Sequence, residues 1–238
     1  MNGIKDLFKP GKLVTAPGIF DGISARIADP FKFELLYMTG YGTVASHLGM
    51  PDAGIASYTD MVGRVQMISN VVNTPFIADG DTGYGGLLNM QHTIRGYELA
   101  GAAGIQIEDQ EFPKKCGHTP GRRVIPTEDM VQKIRVAVET RSSSDFLIVA
   151  RTDARTSYGL DEALKRGEAF AEAGADILFI ESPESVDEME RICASFDAPL
   201  LVNVVDGGST PVLSKQEYID LGYQVAIYPG TGFLACAH

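Results

Sequence analysis

Short apolar runs recur at nearly regular intervals along the chain, and segments with helical spacing separate most of them. The runs are rich in β-branched or aromatic side chains. Runs this short and continuous predict strands that are buried on both faces, as in a parallel sheet. The eight predicted strands are Leu13–Pro17, Leu35–Thr39, Pro75–Ala78, Gly104–Ile107, Phe146–Ala150, Ile177–Ile180, Pro199–Val202 and Val225–Tyr228.

The segments between these runs follow the spacing of amphipathic helices. Several begin with a good capping residue, such as Ser185 or Ser214, and Gly101 and Gly174 stand where helix-ending glycines belong. The clearest predicted helices are Thr59–Val72, Asn89–Ala100, Thr127–Thr140, Asp161–Ala173, Ser185–Phe196 and Ser214–Leu221.

Strands that alternate with helices about every 30 residues predict a (β/α)₈ TIM barrel, an α/β fold. An internal repeat supports this, because Ala100–Glu108 and Ala173–Glu181 both read as a helix end, a glycine, a strand and a glutamate. The competing architecture is an open doubly wound sheet, but its usual glycine-rich phosphate turn does not follow the first predicted strand. We therefore expect a single barrel domain over residues 1–238.

Two segments depart from the regular repeat. After the last predicted strand only residues 230–238 remain, which is too few for a full eighth helix, so the eighth helix is expected to be missing from this chain. Residues 109–126 form a long helix-poor connection that is rich in Lys, Arg, Gly and Pro. A connection of this length is typical of an active-site lid, and we expect it to be mobile.

Composition and charge narrow the classes of function. Asp and Glu (31) outnumber Lys and Arg (20), so the net charge is −11, whereas nucleic-acid binding needs a basic face. A few local cations still allow an acidic chain to bind an anionic small molecule. No apolar run approaches the roughly 20 residues that span a bilayer. The three cysteines favour reduced thiols in a cytoplasmic protein.

Charged residues directly follow several predicted strands, which is where parallel barrels carry their chemistry. Carboxylates gathered there repel one another unless a cation or nearby Arg and Lys side chains neutralise them. Oxygen ligands without a His or Cys cluster favour Mg²⁺ or Mn²⁺ over Zn²⁺. The competing interpretation is that Asp81 caps a turn and Asp79 pairs with Arg151. The residues at strand ends are Asp79, Asp81, Glu108, Arg151, Glu181 and Asn203.

The expected lid contains Lys114–His118, in which Cys116 lies beside lysines, a glycine and a histidine. Such neighbours favour the thiolate, so this thiol is a candidate acid, base or nucleophile on a loop that closes over a substrate. The competing interpretation is a solvated basic loop with an incidental cysteine and an ordinary surface histidine at His118.

Seven motifs together give the chain a specific family resemblance. Residues 13 to 234 resemble the isocitrate lyase and phosphoenolpyruvate mutase superfamily, and the Lys-Lys-Cys-Gly-His sequence resembles its lyase branch. In size and pattern the chain is most similar to the methylisocitrate lyase, dimethylmalate lyase and petal-death types. The motifs are Thr39–Tyr41, Gly49–Asp52, Asp79–Gly85, Ile107–Asp109, Lys114–His118, Arg151–Ala154 and Glu181.

The resemblance implies a role for each matching residue. Cys116 is expected to protonate a carbanion, tuned by Lys114, His118 and Glu108, while Arg151 stabilises the developing negative charge. Asp79 is expected to hold Mg²⁺ (Mn²⁺ is the alternative), with Asp81 and Glu108 acting directly or through water. The expected substrate contacts are Thr39, Gly40, Tyr41, Asp52, Gly117, Arg151, Glu181, Asn203 and Thr231.

The implied activity is a Mg²⁺-dependent retro-aldol cleavage of a 2-hydroxy di- or tricarboxylate, such as methylisocitrate or a substituted malate. The alternatives are an oxaloacetate hydrolase or decarboxylase on the same scaffold and, from another class, a non-catalytic dicarboxylate-binding barrel. Thr231 favours the lyase, because the resembled hydrolases have serine near this position. The family also implies a homo-oligomer built as a dimer of dimers.

Overall fold

The computed structural model describes residues 3–117, 119 and 121–237, and it shows a closed barrel of eight parallel strands. The strands are β1 Val14–Ile19, β2 Leu36–Met38, β3 Phe76–Asp79, β4 Gly104–Glu108, β5 Leu147–Thr152, β6 Ile177–Ile180, β7 Leu200–Asn203 and β8 Val225–Tyr228. They follow one another in chain order around the barrel, and β1 pairs with β8 to close it. The predicted (β/α)₈ fold is confirmed.

Alternate side chains of a strand enter two different apolar clusters, which is why the strand sequences are apolar without interruption. On β2, Tyr37 belongs to the cluster inside the barrel, whereas Leu36 and Met38 belong to the larger cluster between strands and helices. Ile4 and Leu7, from a short 3₁₀ helix, pack against the inner cluster. The barrel interior is thus a packed core, and room for a ligand is left at its ends.

All six predicted helices are present, with ends within three residues of the predicted ones. No helix in the described part of the chain is long and apolar enough to span a membrane. The described helices are α1 Gly22–Ala28, α2 Gly40–Leu48, α3 Tyr58–Ser69, α4 Leu87–Leu99, α5 Thr127–Thr140, α6 Ala154–Tyr158, α7 Leu160–Glu172, α8 Val186–Ser195, α9 Lys215–Leu221 and α10 Thr231–Ala237.

Four helices were not predicted, namely α1, α2, α6 and α10. They are short, and α1 and α2 begin at Gly22 and Gly40, residues that disfavour helices. Asp21 and Ser24 form a capping box at the start of α1, a signal that the sequence prediction missed. Helix α10 follows β8 in the segment that we judged too short for a full eighth helix, and it has two turns. Phe233 of α10 packs edge-on against Phe20 and Tyr41, so this helix forms part of the wall at the carboxyl end of the barrel.

The connection between β4 and α5, which we expected to be a lid, has a paired stem. Gln110 and Val124 form an isolated antiparallel bridge, and Glu111 N donates to Arg123 O at 2.9 Å. The tip turns after Cys116, whose carbonyl accepts a hydrogen bond from the backbone of the third residue along. The stem therefore fixes where the tip lies, and the mobility of the tip stays a prediction.

Candidate active site

A cavity of about 610 Å³ opens at the carboxyl end of the strands. Its walls come from strand ends, from the lid and from Leu234 of α10. The predicted site residues that the structure brings to its surface are Thr39, Tyr41, Asp52, Asp79, Glu108, Lys114, Cys116, Gly117, Arg151 and Asn203. Loops distant in sequence therefore converge on one site.

Other predicted site residues do not line this cavity in the described part of the chain. Asp81 and Glu181 are buried behind its surface, where they contact Lys114 and Arg151. Thr231 begins α10 and is exposed. The predicted His118 lies outside the described residues.

Lys114 supplies the positive charge in one half of the site. Its ammonium lies 2.6 Å from Asp52 Oδ1 and 2.7 Å from Asp81 Oδ1, and only 3% of the residue is exposed. Burial alone lowers the pKa of a lysine, but the surrounding carboxylates outweigh it and raise the pKa of Lys114 well above its usual value. Burial raises the pKa of Asp81 to about 6 even with this ammonium beside it. This half of the site is therefore short of positive charge.

The turn after β3 presents two of these carboxylates together. Asp79 Oδ1 accepts a hydrogen bond from Asp81 N at 2.9 Å, and Tyr97 OH donates to Asp79 O at 3.1 Å. Glu108 N donates to Asp81 O at 2.9 Å, so the ends of β3 and β4 are tied. It is thus Asp79 that caps the turn, where the competing interpretation had named Asp81.

Glu108 carries a buried carboxylate whose hydrogen-bonding capacity is not filled. Burial raises its pKa well above the usual value, and its Oε1 is buried with no hydrogen-bond partner among the described residues. An orphaned oxygen near the buried carboxylates of Asp79 and Asp81 is a donor set that suits a hard divalent cation. As they stand, no three His, Cys, Asp or Glu side chains in the described ranges are arranged to hold a metal, and the ammonium of Lys114 lies among them.

Arg151 supplies the positive charge in the other half. Its Nε and Nη2 donate to the two oxygens of Asp153 at 3.0 and 2.8 Å, and its guanidinium lies 3.3 Å from Glu108 and 3.4 Å from Glu181. Burial favours the neutral form of Asp153, but Arg151 outweighs it and the pKa of that carboxyl is lowered. Within the described residues these acids, and not Asp79, form the ion pairs of Arg151, contrary to the competing interpretation.

The amino end of α2 faces the cavity. Thr39 precedes the helix in an extended conformation and its hydroxyl makes no capping hydrogen bond. Backbone N–H groups at such an end attract anions. Glycine is required at position 40, because a Cβ there would lie 2.5 Å from Asp79 Oδ2. The helix end and the Asp79 carboxylate are therefore in direct contact.

The tip of the lid lies against Arg151. A Cβ at Gly117 would be 2.5 Å from Arg151 Nη2 and 3.3 Å from Glu181 Oε2, so this glycine is needed for space. Cys116 lines the cavity beside it and is not in a disulfide. With Lys114 buried and Cys116 at the cavity wall, the segment is not the solvated basic loop of the competing interpretation.

The structure adds residues that the sequence did not single out. Tyr37 and Phe179 line the cavity from within strands, and the Arg151 guanidinium lies 5.2 Å from the Phe179 ring centre. Tyr37 OH donates to Gln106 Oε1 at 2.7 Å, and burial raises its pKa well above the usual value. Both residues stand in apolar runs, which predict core positions; only their place at the last inward-facing position of a strand distinguishes them.

Comparisons with known proteins identify relatives of this chain. The family model described as phosphoenolpyruvate phosphomutase matches residues 4–238. A 2,3-dimethylmalate lyase of Eubacterium barkeri is 51% identical over 95% of this chain and 78% of its own length. A 2-methylisocitrate lyase of Aeropyrum pernix is 41% identical over 98% of this chain and 74% of its own length.

Solved structures extend the likeness to the whole fold. Oxaloacetate acetylhydrolase in complex with 3,3-difluorooxalacetate superposes with a TM-score of 0.94 at 38% identity, covering 99% of this chain and 82% of that one. Phosphonopyruvate hydrolase, solved with oxalate and Mg²⁺, gives a TM-score of 0.87 at 30% identity, covering 98% of this chain and 81% of that one.

Proposed function

Because the chain belongs to the phosphoenolpyruvate phosphomutase family, we propose that it is a carbon–carbon lyase that cleaves a 2-hydroxy di- or tricarboxylate. The relatives named as lyases bear out the enzyme class expected from the sequence. The observation that carries the proposal is the cavity, which holds two cationic side chains, Lys114 and Arg151, and a lid thiol, Cys116, around one space. A substituted malate and methylisocitrate are the proposed substrates.

The carboxylates of Asp79, Asp81 and Glu108 fit Mg²⁺, with Mn²⁺ as the alternative. Their hard oxygen donors and the orphaned Glu108 Oε1 support this assignment. When bound, the metal would stabilise negative charge that develops on the substrate's carboxylate fragment. Lys114 offsets the charge of the acids beside it and so allows several carboxylates to share one small volume.

Two parts of the site suit the substrate carboxylates. The Arg151 guanidinium is oriented by its two bonds to Asp153 and lines the cavity. The N–H groups of Gly40 and Tyr41 at the start of α2, with the hydroxyl of Thr39, which does not cap the helix, offer a second anion site. Asn203 lines the cavity and donates a hydrogen bond of 3.2 Å to Glu181, which is buried behind it. Glu181 and Thr231 are kept as proposed substrate contacts.

The proposed cleavage runs as a retro-aldol reaction. A base takes the proton of the 2-hydroxyl group, the carbon–carbon bond breaks to give an α-keto acid, and the electron pair stays on the carbon next to the departing carboxylate. Arg151 stabilises the charge that develops there. The thiol of Cys116 donates a proton to that carbon, with Lys114 and His118 tuning its acidity. The closed lid places the thiol and excludes water.

A substrate panel tests the proposed function. Purified protein is assayed with methylisocitrate, 2,3-dimethylmalate, isocitrate and oxaloacetate, each with Mg²⁺ and each again with EDTA. We expect Mg²⁺-dependent release of an α-keto acid from one of the first two. Turnover of oxaloacetate alone would establish the hydrolase or decarboxylase alternative, which the likeness to oxaloacetate acetylhydrolase makes the second candidate. Inactivity on all four would favour the non-catalytic dicarboxylate-binding barrel.

The proton donor is tested by Cys116→Ser with Cys236→Ser as the matched control, because the second thiol is exposed. Loss of a positioned general acid lowers kcat by about 10²–10⁴-fold, and we expect a loss in this range for Cys116→Ser with Mg²⁺ affinity unchanged. An unchanged kcat would remove the acid role. The control is expected to behave as the parent protein.

The proposal also covers the cellular compartment and the oligomeric state of the protein. We infer a cytoplasmic enzyme, because none of its three cysteines is in a disulfide. We further infer a dimer of dimers, as expected from the family resemblance. Sedimentation equilibrium at several protein concentrations tests the assembly, and a mass of one chain throughout would contradict it.

A further inference from the structure

Arg122 lies where the lid returns toward the barrel, and only 4% of it is exposed. Its guanidinium donates to Asp153 Oδ1 and to Thr156 Oγ1, both at 2.5 Å, and to Ser182 Oγ at 3.3 Å. Its carbonyl accepts a hydrogen bond from Ser157 Oγ at 2.6 Å. Side chain and main chain of Arg122 are therefore both fixed to the segment that follows β5, which includes α6, and the side chain also reaches Ser182 after β6.

Asp153 is shared between two guanidinium groups. Its Oδ1 accepts from Arg122 Nη1 and, at 2.8 Å, from Arg151 Nη2, while its Oδ2 accepts from Arg151 Nε at 3.0 Å. Asp153 is fully buried, so its charge is poorly screened by water and acts strongly on both partners. Each guanidinium therefore offsets part of the negative charge that Asp153 presents to the other, while both keep their hydrogen bonds to it.

Arg151 needs such a partner because acids surround it. Besides Asp153 it faces Glu108 at 3.3 Å and Glu181 at 3.4 Å. Three carboxylates around one guanidinium would cancel its attraction for an anionic ligand. A second cation on Asp153 offsets part of this excess and leaves positive charge of Arg151 directed at the cavity.

We propose that Arg122 is a positioning residue that, through Asp153, fixes the orientation of Arg151 and maintains its attraction for a substrate carboxylate. Arg122 does not line the active-site cavity but a neighbouring one of about 460 Å³, so it acts without touching the substrate. The inference rests on the proposed function for the identity of the substrate. The contact of Gly117 with Arg151 then makes a second link between the lid and the same guanidinium.

The test compares Arg122→Gln and Arg122→Lys with the control Arg123→Gln. Arg123 is the next residue of the same lid arm, but its side chain is 74% exposed and pairs with Glu111. The probe is oxalate in the presence of saturating Mg²⁺, titrated by calorimetry, and kcat and KM are measured on whichever substrate the panel identifies. Oxalate binding needs no turnover, so this readout stands even if the proposed function fails.

Loss of one partner of a buried charge pair weakens binding by about tenfold or more, and we expect this loss of oxalate affinity for Arg122→Gln. The change is expected in KM more than in kcat. Arg122→Lys keeps the positive charge but loses the forked geometry of the guanidinium. Its oxalate affinity is expected to lie between that of Arg122→Gln and that of the parent protein. Arg123→Gln is expected to match the parent in every readout.

Equal oxalate affinities for Arg122→Gln and Arg123→Gln would overturn the proposal. A fall in kcat with KM unchanged would also overturn it. The same holds if Arg122→Lys loses as much oxalate affinity as Arg122→Gln, because a purely structural role of Arg122 would not depend on its charge. Thermal unfolding reports whether the variants fold. If Arg122→Gln does not fold, Arg122→Lys decides: weaker oxalate binding than the parent supports the proposal and unchanged binding overturns it.

Discussion

Filling the contact between Gly117 and Arg151 tests whether the lid tip must approach the guanidinium this closely. An alanine Cβ at position 117 would lie 2.5 Å from Arg151 Nη2, whereas ordinary contacts begin at 3.4 Å, so the two groups must separate by about 0.9 Å. Arg151 is held by two charge-assisted bonds to Asp153. The lid tip therefore yields, and it carries the neighbouring Cys116 away from the substrate.

The expected size of the effect follows from this displacement. Misplacing a reacting group by about 1 Å costs about 10²-fold in rate, which is about 2.7 kcal/mol at 1.36 kcal/mol per tenfold. We expect kcat of Gly117→Ala to fall by this factor with the melting temperature unchanged, because the tip adds little to the core. Gly63→Ala is the control, since nothing lies within 4 Å of its Cβ in α3 and alanine favours a helix.

The measurements are steady-state kinetics on the substrate that the panel identifies and thermal unfolding of both variants. A kcat for Gly117→Ala equal to that of Gly63→Ala would refute the reasoning. It would mean that the lid tip does not lie on Arg151 when the reaction occurs. A parallel fall in melting temperature would instead assign the loss to folding and would equally contradict the stated cause.

The remaining predictions concern charge, space and thiol reactivity. Lys114→Met breaks a buried ion pair, which costs about 3–5 kcal/mol, and we expect a lower melting temperature that added Mg²⁺ partly restores in thermal unfolding. Gly40→Ala pushes on the Asp79 carboxylate, and we expect Mg²⁺ affinity by calorimetry to fall about tenfold or more, as for disturbed ligand support. Burial raises the pKa of Cys193 to about 12, so it is expected to resist iodoacetamide at pH 8 in the native protein while the exposed Cys236 reacts. Mass spectrometry of the alkylated chain checks the last prediction.

The barrel could be predicted because its strands have a simple requirement. A strand that packs on both the interior and the helices needs apolar side chains throughout, and this gives a continuous run that is visible in the sequence. Short helices such as α2 and α10 lack this signal. Helix α2 begins with Gly40 and packs through small residues, so local propensity argues against it and tertiary contacts decide.

The site was predictable in its composition but not in its pairing. Residues at strand ends had to meet at one mouth, and they do. Which acid pairs with which cation depends on side-chain reach across loops, and sequence position does not encode it: Lys114 bridges Asp52 and Asp81, which lie on different segments. Gly117 illustrates the same limit, because the sequence placed it among the expected substrate contacts, and only the structure shows that it is required for space beside Arg151.

The arrangement of charges also reconciles an acidic protein with an anionic substrate. In the half of the site around Lys114, one ammonium faces several buried carboxylates, and burial raises the pKa of Asp81 to about 6 even though that ammonium lowers it. A divalent cation would supply further positive charge and leave the mouth attractive to a carboxylate. In the half around Arg151, Arg122 supplies a second positive charge from within the chain. We therefore expect dicarboxylate affinity to depend on Mg²⁺ through the first half and on Arg122 through the second.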